Sequence, residues 1–68
     1  MTNSKTQEVL DRLPERANKT ISRMKAAYNE GWMKHEIKQN IIGYIDALED
    51  LHFVTDVERR LLYIYMTL

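Results

Sequence analysis

Residues 37–51 read IKQNIIGYIDALEDL, and the fold follows from the spacing of their apolar positions. Ile37, Ile41, Tyr44, Leu48 and Leu51 recur at intervals of four, three, four and three, the stripe of a helix packed along one side. Ile42, Ile45 and Ala47 broaden that stripe until the helix can meet a neighbour on each of two sides. A helix apolar on two sides needs two covers, and the chain has room for one before it and one after it. The stretch therefore reads as the central helix of a small all-α bundle.

The covers have recognisable ends. Ser4-Lys5-Thr6-Gln7 fits a capping box, in which Ser4 accepts from the Gln7 amide and Gln7 reaches back. A first helix then begins near Lys5 and turns Val9, Leu10 and Leu13 inward. Pro14 interrupts it in one of two ways. It either opens a new helix at the first position, where its missing N–H costs nothing, or kinks a continuous one at about 3 kcal/mol. The apolar register Leu10, Leu13, Ala17, Ile21, Met24, Tyr28 runs straight through the proline, which favours two segments, 5–13 and 14–30, collinear or gently bent. Gly31 follows where a left-handed stop belongs. The central helix spans 34–51. Thr55-Asp56-Val57-Glu58 forms a second capping box and opens a last helix over 56–67. That helix carries Val57, Leu61, Ile64 and Leu68 at four, three, four. The predicted architecture is a three-helix bundle, its first helix broken or kinked near Pro14. The corners Trp32-Met33 and Phe53-Val54 resemble one another, each with an aromatic and an aliphatic residue ahead of a helix cap.

Length and composition narrow the class. A chain of 68 residues is one domain, near the lower limit for stability from a single core. It has no cysteine, hence no disulfide staple and no thiolate metal site, and only two histidines. Self-association is the remaining way to complete so small a core. The net charge is zero, so no overall field draws the chain to nucleic acid or to an anionic membrane. The charges are nevertheless segregated. Arg16, Lys19, Arg23, Lys25, Lys34 and Lys38 lie upstream, while Asp46, Glu49, Asp50, Asp56 and Glu58 follow, able to pair with them within one fold or between two copies. No run approaches membrane-spanning length, and residues 1–10 lack the basic start and apolar core of a leader, which makes the cytoplasm the expected compartment.

His35 and Glu36 are adjacent and diverge on a helix, and His52 lies in another corner, so neither histidine forms a catalytic dyad. Asp46 and Asp50 stand one turn apart, a two-carboxylate arrangement better suited to a solvated or partner-facing patch than to a cation. No glycine-rich phosphate loop is present. The sequence assigns no catalytic, cofactor or metal residue. A helix-turn-helix can be laid on residues 23–42, with Ala27 small, Gly31 in the turn, Ile37 buried, and Lys34, His35, Lys38 and Gln39 offered to nucleic acid. Glu30 before the turn and the acidic continuation of the second helix oppose it, and a neutral protein would need to dimerise to gather enough charge. The uncharged end Leu61-Leu62-Tyr63-Ile64-Tyr65-Met66-Thr67-Leu68 exceeds what one helix face can bury, and Tyr and Met are favoured at contacts. Trp32, Leu62, Tyr63, Tyr65, Met66 and Leu68 are accordingly the predicted protein interface.

Leu48, Leu51 and the run Phe53-Val54-Thr55-Asp56-Val57-Glu58 resemble a pattern of short bacterial helical oligomerisation modules and of small uncharacterised proteins from Gram-positive phages and plasmids. Those place Gly-x-Ile-Thr-x-x-Glu at the opening of a helix after a leucine-rich one. Here His52 stands in place of the glycine, and the likeness covers about a sixth of the chain. What the resemblance implies is an interaction module from a mobile element, and it carries over no functional residue. The resulting expectation is a non-enzymatic, regulatory, homodimeric interaction module with a protein partner; the alternative is a dimeric DNA-binding regulator.

Overall fold

Residues 3–68 are described by the computed structural model, and they form four helices: α1 Ser4–Arg12, α2 Glu15–Asn29, α3 Lys34–Asp50 and α4 Asp56–Thr67. Met1 and Thr2, the start of the stretch read as lacking a leader, lie outside them. The all-helical class is as predicted. The three-helix count is not, because the chain turns at Pro14.

The cause of that turn is local. Leu13 precedes a proline, which excludes it from helical geometry, and both Leu13 (ψ 151) and Pro14 (ψ 147) are extended. Pro14 serves as the N-cap of α2 and not as its first helical residue. The Asn18 side-chain amide donates to the Leu10 carbonyl at 2.6 Å, near the end of α1. In one straight helix those residues would stand about 12 Å apart along the axis, so α1 and α2 are not collinear. Leu10, Leu13 and Ala17 are all buried across the corner, which is why the apolar register continues through it.

At the start of α1 the cap is Asn3, one residue earlier than predicted. Its Oδ1 accepts from the Lys5 amide at 2.8 Å. Asn caps as well as Ser, and the Gln7 side chain, instead of reaching back, donates to Asp11 one turn on at 2.8 Å. Gly31 takes the left-handed backbone assigned to it, with φ +92. The capping box at Thr55 and Glu58 forms as read: the Glu58 amide donates to Thr55 Oγ1 at 3.2 Å, and the Thr55 amide to Glu58 Oε1 at 2.9 Å.

The end of α3 is a Schellman motif: the Phe53 amide donates to the Leu48 carbonyl and the His52 amide to the Glu49 carbonyl, each at 2.9 Å. It requires a left-handed residue at position 52. The chain places His52 there, with φ +65. Leu51, predicted on the packed stripe, is turned out and 66% exposed; the stripe closes instead with Ile41, Ile45 and Leu48, all buried. The two corners also differ. Val54 plugs the core, whereas Trp32 and Met33 are both exposed.

In packing, α4 occupies the centre, lying against α1, α2 and α3, while α3 lies against α2 and α4. Leu62 and Met66 of α4 are completely buried, together with Val9, Ile21, Ile41 and Ile45 from the other three helices. The chain is organised around its last helix more than around 37–51.

Candidate interaction surface

α4 is amphipathic twice over. Its inner face is the stripe Glu58, Leu62, Met66, spaced by four and turned into the bundle. Its outer face is Val57, Leu61, Ile64 and Leu68, spaced four, three and four. Of these, Leu61 is half-buried, while Val57 is 61%, Ile64 54% and Leu68 84% exposed. At 100° per residue the two stripes point about 130° apart. The stripe read from the sequence as the regular apolar face of this helix, in which Leu68 was also an interface candidate, is turned outward. Leu62 and Met66 were predicted to be interface, and both are core residues with no accessible surface. Of the remaining interface candidates, Trp32 (67% exposed) and Leu68 are open to solvent, while Tyr63 and Tyr65 are half-buried.

The tyrosines are held by lysines. Lys25 Nζ donates to the Tyr65 carbonyl at 2.7 Å and sits 4.5 Å from the centre of the Tyr65 ring. Lys38 Nζ lies 5.9 Å from the Tyr63 ring centre, and its closeness to Tyr63 raises its pKa. Lys34 Nζ lies 4.8 Å from the Tyr28 ring centre. Such contacts favour an ammonium held over an aromatic face. The two lysines nominated for nucleic acid are thus drawn over rings of α2 and α4, while His35 and Gln39 remain exposed on α3. The solvent side of α3 further along bears Asp46 and Asp50, both exposed.

These same contacts set the register of the bundle. Glu49 meets Arg59 and Lys38 meets Tyr63, so α3 runs antiparallel to α4. The C-terminal end of α4 therefore lies at the end of the bundle where α3 begins, the end that also holds the Trp32-Met33 corner. Trp32 stands between Gly31 and Met33, both with positive φ, 92 and 54, a backbone path that holds the indole away from the core. The exposed apolar residues include those of the outer stripe of α4 and those of the corner of Trp32 and Met33.

The opposite end is acidic and internally paired. Arg59 donates to Glu49 at 2.7 Å and to Asp56 at 2.9 Å, and stands 3.7 Å from Asp46. Arg59 lowers the Asp56 pKa, chiefly through its hydrogen bond. Arg12 donates to both Glu58 oxygens, at 2.7 and 2.9 Å, and to the Phe53 carbonyl at 3.2 Å. The guanidinium, followed by the Thr55 amide, holds Glu58 down to about 2. The acidic middle is thus matched by α4's own arginines and by Arg12, not by the bases of α2. An open cleft of about 670 Å³ lies here among Arg12, Asp50, His52 and Phe53, but the guanidinium facing it is already engaged. Among the described residues no group of three His, Cys, Asp or Glu gathers as a metal site, and no helix is long and apolar enough to cross a membrane.

Comparison of the chain with protein-family models, with curated proteins and with solved structures gave no match.

Proposed function

We propose that this chain is a non-enzymatic interaction module that self-associates through the outer stripe of α4, and that gaining or losing this contact controls access to a protein partner. The observation that carries the reading is the contiguous exposure of Val57, Ile64 and Leu68 with Leu61 between them. Soluble chains seldom leave a patch of several hundred Å² of this kind uncovered unless it is a contact. The four-three-four spacing is that of a coiled-coil seam, which a second helix of the same spacing fits by knobs into holes. Zero net charge leaves no overall repulsion between copies. Four side chains and their rim cover about 1,000 Å² in a pair, the low end for specific complexes. So small a contact is suited to exchange: a partner helix with its own apolar stripe displaces one copy or is excluded by it.

Sedimentation equilibrium tests the reading. The wild type forms a concentration-dependent dimer, and Ile64→Asp, at a surface position, becomes monomeric while keeping its helical circular dichroism. A wild type that stays monomeric to millimolar concentration refutes it.

A further inference from the structure

We propose that α1 is a releasable strap: it leaves the bundle as one unit, turning on Leu13-Pro14, while α2, α3 and α4 stay assembled. Such an opening is independent of self-association, since it concerns the inner side of α4 and not the outer stripe. Three features of the chain favour it.

The first is topology. α2, α3 and α4 each lie against both of the others, whereas α1 lies chiefly against α4. Removing α1 therefore leaves the packing among the other three intact. Of the six largest fully buried side chains, only Val9 comes from α1; Ile21, Ile41, Ile45, Leu62 and Met66 belong to the three-helix set. Most of the deep core thus stays with the part that remains.

The second is the joint. The hydrogen-bond ladder of α1 ends at the Leu13 amide, which donates to the Val9 carbonyl at 3.2 Å. That of α2 begins at the Pro14 carbonyl, which accepts from the Asn18 amide at 3.0 Å. Proline has no N–H with which to join the two, and Leu13 and Pro14 are both extended. The chain can turn there without breaking the ladder of either helix. Once free, a helix of nine residues is too short to persist by itself. Its amides then lose protection together.

The third is the fastening. Side-chain hydrogen bonds tie α1 to the rest through Arg12, which grips Glu58 and the Phe53 carbonyl, and through the Leu10 carbonyl, which accepts from Asn18. Both ties lie at the hinge end, and the Arg12 side chain is 53% exposed. The remainder of α1 is held by the burial of Thr6, Val9 and Leu10. Release bares the apolar side chains beneath these residues without dismantling the other three helices.

Native-state hydrogen exchange on the intact chain tests this, because each opening is read at its own amides. The amides of Val9, Leu10 and Leu13 share one opening equilibrium, about tenfold or more above that of the slowest amides of α3 and α4. It grows with denaturant, as an opening that exposes surface must and as fraying does not. Ile41→Val, at a completely buried site of α3, destabilises the closed and strap-open forms alike. It speeds the slowest amides of α3 and α4 about two- to tenfold and leaves those of α1 unchanged. Glu58→Gln weakens the closed form alone and speeds the α1 amides roughly five- to thirtyfold. Equal protection of α1 and α3, or equal acceleration of both by Ile41→Val, shows one cooperative unit and overturns the proposal. Rates in α1 that answer neither to denaturant nor to Glu58→Gln show fraying of a chain end and overturn it too.

Discussion

Glu58→Gln separates two roles that one carboxylate performs in α4. Glu58 closes the capping box with Thr55 and, through the bidentate pair with Arg12, fastens α1 to the bundle. Glutamine can still cap but cannot form the ion pair, so the substitution removes the second role and retains the first. The carboxyl is lowered from 4.5 to about 2 by Arg12 and the Thr55 amide, which bounds its contribution at about 3 kcal/mol. The Arg12 side chain is 53% exposed, and water screens the pair, which brings the expected value to about 1–2 kcal/mol. Because the folded pKa lies below the unfolded one, this stability is present in full above pH ~4.5 and is lost as the pH falls towards 2. Urea titrations from pH 7 to pH 2 measure it. At pH 7 the variant unfolds at a midpoint lower by roughly 1–2 M, given a slope of about 1 kcal/mol/M for so small a chain. Below pH 3 the two midpoints converge. A gap that stays constant across the range, or no gap at pH 7, refutes the argument that the charge of Glu58 holds α1 in place.

Two further outcomes follow from backbone and packing. His52→Gly relieves a left-handed residue at the end of α3. The gain of about 1–2 kcal/mol is offset by the greater freedom of glycine in the unfolded chain, leaving the melting temperature higher by roughly 2–6 °C; a lower melting temperature contradicts the Schellman assignment. Leu62→Ala empties a completely buried site and costs about 3 kcal/mol, whereas Ile64→Ala, at concentrations where the chain is monomeric, costs less than about 1 kcal/mol. Chemical denaturation of both distinguishes inner from outer face, and equal losses would show that the faces have been assigned wrongly.

Much of the architecture was legible because it rests on local chemistry. Thr55 and Glu58 specify a helix start whatever surrounds them, Gly31 marks a stop by its lack of a side chain, and the bounds of α3 and α4 follow from such signals. The turn at Pro14 was harder to read. Leu13 and Ala17 are buried on both sides of the corner, so periodicity runs on through a sharp change of direction, and only the restriction on the residue before proline reports it. The left-handed backbone of Met33 was not legible, since methionine does not announce a positive φ, whereas His52 stands where the resembled pattern has glycine. Both backbones are set by the packing of the helices that they join.

The exchange of α4's two faces has a physical cause in Glu58. From sequence, Val57-Leu61-Ile64-Leu68 is an unbroken apolar stripe, and Glu58-Leu62-Met66 is one interrupted by a charge. Hydrophobicity alone favours burying the first. The second can be buried because the charge is met from outside the helix: Arg12, forty-six residues away in sequence, supplies two hydrogen bonds, and the Thr55 amide supplies a third. With Glu58 satisfied, the inner stripe reaches the core intact and the more apolar stripe is left for solvent. The ion pair that holds α1 is therefore also what leaves the outer stripe free.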